Sequence, residues 1–261
     1  VVYSSFAAGS AGKRVTVITK LADKDLNILK NLQHPMVDWN VLPSKQSTSI
    51  KNTYFTADKE RREVVLLSQA DPFTLEEVQA EASIYHLAGL FGGEIPDSLV
   101  LPLSKRGKVA LDAQGVLRCL DGQKNLVFRD WRRKQELLPY ITYFKTDAAE
   151  AKILTGLDDR QEAARLLYSW GAQEVMLTHN TEVMVCHQGN IHTAPFTNRN
   201  NSGRTGRCDT TFAAYLAWRQ DHDAAESTRF AAALCSLKME KPGVFRGTLE
   251  EVLKRMEQDR V

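Results

Sequence analysis

Cysteine is scarce. The 261 residues contain four, Cys119, Cys186, Cys208 and Cys235, and no two have C-x-x-C spacing. That argues against a disulfide framework or a zinc site and for reduced thiols that pack, as expected of a cytoplasmic protein. An excess of charge of one sign is also missing. Lys and Arg number 34 against 32 Asp and Glu, a net charge of +2, so composition offers no basic face for nucleic acid. No apolar run reaches the roughly 18 residues that a membrane helix needs. No charged start leads into an apolar stretch and a cleavage site. There is no Walker loop, no G-x-S-x-G elbow and no G-x-G-x-x-G after the first strand pattern. Hydrolase and dinucleotide-dependent oxidoreductase readings are therefore disfavoured. Repeats and long linkers are absent as well.

What is present is an ordinary core, 43% hydrophobic and 25% charged, enough for one domain of this length. Near-continuous apolar runs at 15–18, 84–87, 109–111, 141–144 and 175–177 read as strands buried on both faces. From position 84 they recur at roughly 25 to 35 residues, the size of a βαβ unit. Thr74-Leu75-Glu76-Glu77 and Thr248-Leu249-Glu250-Glu251 are capping-box patterns. Residues 161–170 place Ala164, Leu167 and Trp170 on one side, with Gly171 as a C-terminal stop. The expected architecture is a three-layer α/β/α domain with a mainly parallel sheet. Between Val37 and Gln69 the pattern changes to polar–apolar alternation, at 47–54 and 63–68 on either side of Asp58-Lys59-Glu60-Arg61-Arg62. It predicts an antiparallel hairpin with one wet face, at the edge of the main sheet or as a flap over its mouth. Arg61 and Arg62 read as its solvated turn. Pro102 should kink or shorten a helix between Pro96 and Arg106.

The segment richest in chemistry is Asn201-Ser202-Gly203-Arg204-Thr205-Gly206-Arg207-Cys208-Asp209-Thr210-Thr211-Phe212, which leads into an apolar helix at 211–218. A polar, glycine-containing loop before a helix leaves several backbone N–H groups pointing one way, and the helix dipole adds to them. Such a place favours a phosphate. Taken alone, Asp209 at that helix start reads more readily as a simple cap. Arg204 and Arg207 would stabilise charge on a transferred group, or are ordinary exposed arginines. His86, inside an apolar strand, reads as a core residue, and Cys119, Cys186 and Cys235 as packing.

Thr205-Gly206-Arg207-Cys208-Asp209-Thr210 resembles the T-G-A-G-D-T signature of the ribokinase-like (PfkB) carbohydrate kinases. The resemblance implies an anion hole made by the N–H groups of Gly206, Arg207 and Cys208, with Asp209 as the base that deprotonates the acceptor hydroxyl. Asp147-Ala148-Ala149-Glu150-Ala151-Lys152-Ile153-Leu154-Thr155-Gly156 is similar to the family's N-E-x-E-A-x-x-L-T-G. By that likeness Asp147 and Glu150 help organise Mg²⁺ and phosphate, although the same residues form a capping-box pattern. Tyr3-Ser4-Ser5-Phe6-Ala7-Ala8 with Gly12-Lys13-Arg14-Val15 looks like the early family helix. The sequence starts at Val1 without methionine, and the family's first strand, its Gly-Gly pair and a sugar-contacting Asp are expected upstream. Residues 109–115 resemble a central strand ending in a D-x-N-like stretch, Asp112-Ala113-Gln114. Lys241-Pro242-Gly243 fits the family's nucleotide side, and Thr178-His179-Asn180 stands where that side often has a glycine turn.

The resemblance thus implies a single ribokinase-like kinase domain over 1–261, with a small β lid at about 39–69. It implies transfer of the ATP γ-phosphate, with Mg²⁺, to a hydroxyl of a small sugar, polyol or nucleoside. Thr178, His179, Asn180, Lys241 and Gly243 would face the nucleotide, and Arg204 and Thr205 the phosphate. Tyr3, Thr48, Asn52, Tyr54, Asp112 and Gln114 would face the acceptor. A homodimer through the lid is the implied assembly, by analogy. Cys208 departs from the family's Gly and puts a side chain in a loop built for close backbone approach, tolerable where its φ is negative. Asp147 replaces the usual Asn. These departures keep a second reading open, a family member that binds nucleotide or sugar without turnover.

Overall fold

A computed structural model describes residues 1–54, 62–123 and 125–259. Helix α1 (Val2–Ser10) leads into β1 (Val15–Leu21), which pairs in parallel with β2 (Val37–Pro43), Val15 opposite Val37. The expected hairpin follows as β3 (Ser49–Tyr54) and β4 (Arg62–Ser68), an antiparallel pair outside the large sheet. The alternation at 39–43, assigned to the flap from sequence, belongs to β2 instead. β2 alternates because one of its faces stays open to solvent.

β5 (Ile84–Leu87), α2 (Val100–Ser104) and β6 (Lys108–Asp112) follow. Pro102 falls in the first turn of α2, where its missing N–H costs no hydrogen bond, and the helix ends at Ser104. Short α3 (Gln114–Leu117), the hairpin of β7 (Arg118–Leu120) and β8 (Leu126–Phe128), and α4 (Lys134–Leu137) lead to β9 (Tyr143–Asp147). α5 (Ala148–Thr155) and α6 (Arg160–Ser169) then precede β10 (Glu174–Thr178). An antiparallel hairpin, β11 (Glu182–His187) and β12 (Asn190–Pro195), widens the sheet. Three helices follow: α7 (Arg207–Trp218), α8 (Ala224–Met239) and α9 (Leu249–Gln258).

The main sheet has the order β12-β11-β10-β9-β6-β5, and β5, β6, β9 and β10 are parallel. Helices cover both faces. Phe212, Tyr215, Phe230 and Leu234 fill one side, and Leu103, Leu138, Phe144 and Leu167 the other. α7 is buried from Thr210 to Ala217 because it lies between α1, α8 and the sheet, which is why its sequence is apolar all round. The Thr248 box caps α9 as expected, and Gly171 with φ +115° ends α6, whereas the Thr74 box caps only a single 3-10 turn at Leu75–Glu77. Among the described residues β1 pairs only with β2, and β5 only with β6. A slot of about 660 Å³ lies between them, lined by Val15, Val17, Ile84, His86, Ala213 and Leu216. No helix of the described residues is long and apolar enough to cross a membrane.

Candidate active site

The loop before α7 is shaped from behind by the end of α8. Gly203 N–H donates to the Met239 carbonyl at 2.7 Å, and a Cβ on Gly203 would stand 1.9 Å from the Lys241 carbonyl oxygen. Only glycine fits there. Lys238, buried on α8, donates from Nζ to the carbonyls of both Gly203 and Thr205. Gly206 then turns the chain with φ +81° and ψ 13° as the N-cap of α7. Its Cα lies against the Tyr3 ring, where an added Cβ would be 2.2 Å from Cγ. Arg207, Cys208 and Asp209 form the first turn of the helix. Cys208 has negative φ, and its thiol lies 3.5 Å from Thr178 Oγ1 at the end of β10. A side chain is therefore accommodated where the family has Gly.

The N–H inventory of this turn differs from the expected one. Arg207 N–H donates to the Arg204 carbonyl at 3.2 Å, so it is withdrawn from the hole. Among the described residues, the N–H groups of Gly206, Cys208 and Asp209 donate to no protein acceptor. These three sit at the positive end of the α7 dipole. The half-buried Asp209 lies in that first turn, and its carbonyl accepts from Ser4 Oγ at 3.5 Å. Arg204 Nη2 and Arg207 Nη1 both donate to Asn180 Oδ1, at 2.9 and 3.0 Å. Thr205 is exposed beside them. The structure thus gathers Tyr3, Thr178, Asn180 and residues 204–209 at one place. Lys241 is exposed just past α8, and Gly243, with φ +88°, faces open space. His179 is turned to local work, its N–H on the Glu182 carbonyl at 2.9 Å and Nδ1 3.2 Å from Thr181 Oγ1.

Beneath the turn lie charges at the carboxyl ends of adjacent parallel strands. Lys145 Nζ is 3.1 Å from both Asp112 oxygens, and the two residues are 1% and 2% exposed. Asp112, expected to face the acceptor, is instead locked in this pair. Burial pushes its pKa up and Asp209 adds to that, while Lys145 opposes. Burial works against the Lys145 ammonium, yet Asp112 above all, with Cys208, Glu150 and Asp147, holds its pKa above the ordinary value. Gln114 closes the strand end, its N–H on Asp112 Oδ1 at 3.2 Å and Nε2 on the Gly89 carbonyl at 3.1 Å.

Asp147 and Glu150 form a reciprocal capping box at the start of α5. Glu150 N–H donates to Asp147 Oδ1 at 2.8 Å, and Asp147 N–H to Glu150 Oε2 at 3.0 Å. Burial pushes the Glu150 carboxyl up to about 7, with Asp147 and Asp112 adding and Lys145 and Arg118 opposing. Glu150 Oε1 is buried without a hydrogen bond, 3.9 Å from Arg118 Nη2. Among the described residues no group of three His, Cys, Asp or Glu is arranged to hold a metal. The pair is committed to capping and does not fit a protein-built Mg²⁺ seat.

Thr48 is likewise committed. Its hydroxyl donates to Glu94 Oε1 at 2.6 Å and accepts from Ala70 N–H at 3.1 Å, so it fastens the base of the flap. The side chains of Asn52, Tyr54 and Arg62, and all of Arg61, lie outside the described residues. His86 is closer to the site than its sequence context suggests. Its ring stands edge-on to Phe212 at 5.0 Å, and Nε2 is buried without a partner. Burial lowers its pKa to about 4, with the N-terminal amine and Lys145 adding and Asp209 opposing. Sequence reasoning missed Lys145, Lys238 and Arg118. A lysine following the apolar run at 141–144, and another one helical turn after Leu234 on α8, were the available signals.

An open helix N-terminus next to a carboxylate, at the carboxyl ends of parallel strands, is where an α/β phosphotransferase binds its ligands. Residues 4–250 match the pfkB family of carbohydrate kinases, and the chain belongs to that family. The class is that of sugar and polyol kinases with a ribokinase-like fold. One similar solved structure is a pyrophosphate-dependent kinase in the ribokinase family, complexed with a pyrophosphate analog and myo-inositol. The identity is 35% over 97% of this chain and 90% of that one, at a TM-score of 0.88. Another is a pyrophosphate-dependent myo-inositol-1 kinase converted into a myo-inositol-3 kinase. It shares 34% identity over 99% of this chain and 89% of that chain, at TM-score 0.88. The Arabidopsis thaliana ribokinase complexed with ribose and ATP shares 17% identity, covering 98% of this chain and 86% of its own at TM-score 0.75, and shows the fold alone. Among curated proteins no match was found.

Proposed function

We propose that the protein transfers a phosphoryl group from pyrophosphate to a hydroxyl of a small cyclic polyol, of the inositol type. The observation that carries this is the start of α7, with three N–H groups around Gly206, Cys208 and Asp209 and a carboxylate in the same turn. The N–H groups and the helix dipole hold the phosphoryl group, and Asp209 accepts the proton of the attacking hydroxyl. Phosphoryl transfer needs little more than positioning and charge stabilisation.

The donor follows from where the cations stand. ATP offers a base and a ribose to bind, whereas pyrophosphate offers only charge and needs a compact cationic site. Arg204 and Arg207 converge on Asn180 beside the turn, and Lys238 lies behind it. The 35% identical neighbour complexed with a pyrophosphate analog and myo-inositol supports the same choice over the ATP that the sequence resemblance implied. Mg²⁺ would enter on the donor oxygens, with water completing its shell; no step here depends on it. The β3–β4 flap would act as the lid that excludes water as a competing acceptor.

The test is product formation followed by ³¹P NMR. Purified protein with Mg²⁺ receives pyrophosphate or ATP and, separately, myo-inositol, ribose or inosine. A phosphomonoester from pyrophosphate and the cyclic polyol is expected, with Asp209→Asn lowering turnover by about 10²–10⁴-fold. Product from ATP alone would replace the donor. No product from any pair would favour the reading without turnover.

A further inference from the structure

Resting on the assignment of the α7 turn as the donor site, we propose that Lys238 is the positioning residue that sets the anion hole, acting through the carbonyls of Gly203 and Thr205. In a trans peptide the C=O and N–H bonds point in opposite directions, and among the described residues there is no cis peptide. The Thr205 carbonyl points at Lys238 Nζ, so the N–H of Gly206, in the same peptide plane, points the other way. That direction faces away from α8, beside the first-turn N–H groups of Cys208 and Asp209.

A second carbonyl, from Gly203, meets the same ammonium. Two successive bends of the loop are thus pinned to one point, while the tight fit of Gly203 against Lys241 and of Gly206 against Tyr3 removes the alternatives. Nζ also lies 4.9 Å from the centre of the Tyr3 ring, the ring against which Gly206 packs. A cation on a carbonyl oxygen polarises the peptide group and strengthens its N–H as a donor. Lys238 is 2% exposed, so it is not an open phosphate ligand, and its charge reaches the donor through the backbone. A neutral side chain of the same length would fill the space but supply neither the two hydrogen bonds nor the polarisation.

The experiment compares wild type with Lys238→Met, Lys238→Gln and Lys238→Arg. It measures pyrophosphate binding by calorimetry without acceptor, hydrogen exchange of the 203–209 amides, and kcat with the separate KM values. For Lys238→Met we expect pyrophosphate affinity to fall at least about tenfold and turnover about a hundredfold, the loss typical of one oxyanion donor. Exchange at 203–209 should quicken, acceptor KM should stay within about twofold, and Lys238→Arg should recover most of the loss. A folded Lys238→Met with unchanged exchange, affinity and kcat overturns the proposal. Should Met prevent folding, the same criteria apply to Lys238→Gln. A wild type that binds no pyrophosphate would defeat the donor reading alone, and exchange at 203–209 would still decide the role of Lys238.

Discussion

Gly206 combines two requirements at one position. Its φ of +81° is a conformation that a side chain enters only at a cost. The Tyr3 ring, in turn, leaves no volume for a Cβ. Gly206→Ala should therefore cost about 2–4 kcal/mol, the left-handed strain added to an overpacking term. Urea unfolding measures this; a loss below about 0.5 kcal/mol would mean that the ring simply swings aside. Cys208, two residues further on, shows the contrasting case. With negative φ and the thiol against Thr178, its departure from the family's Gly costs no strain. The sequence showed the odd residue but not its φ, which decides whether oddity matters.

At the scale of elements, α5 tests what a motif means. Asp147 and Glu150 occupy the places that the family resemblance gives to Mg²⁺ and phosphate, and in the fold each bonds to the other's backbone N–H. Asp147→Asn keeps an N-cap acceptor and removes the charge, whereas Asp147→Ala removes both. We expect Asn to retain stability and turnover, and Ala to lose about 1 kcal/mol, read by thermal unfolding beside the kinase assay. If Asn instead slows turnover by about a hundredfold or more at unchanged stability, the charge belongs to the donor. Much of this architecture was legible beforehand, because buried parallel strands are apolar without interruption and caps precede their helices. What stayed hidden depends on register. Asp112 and Lys145 are direct neighbours on parallel β6 and β9, so strand pairing, not spacing, converts a supposed acceptor contact into a buried ion pair. Thr48 likewise looks available until Glu94, 46 residues away, arrives beside it. The pairing of β2 with β1 was hidden for a different reason, since alternation reports one wet face and not the partner.

For the molecule as a whole, two buried groups near the site give opposite pH dependences of stability. Glu150 titrates at about 7 in the fold against an ordinary 4.5, so the folded state holds its proton longer than the unfolded chain does. Stability is highest on the acid side of 4.5 and falls as pH rises from there through 7. His86 titrates at about 4 against 6.5, so the unfolded chain binds the extra proton. Its contribution is complete above 6.5 and lost as pH falls from there through 4. Between about 4.5 and 6.5 the two slopes oppose each other. Glu150→Gln retains an acceptor for Asp147 N–H while removing the falling slope, and His86→Gln removes the rising one. Relative to wild type, the unfolding free energy of Glu150→Gln from urea titration should gain at pH 7 over pH 5, by on the order of 1 kcal/mol. That of His86→Gln should shift the opposite way. Parallel shifts of the two variants at both pH values would show that neither group titrates within that range. The chain would then carry its buried charges at a fixed protonation across it.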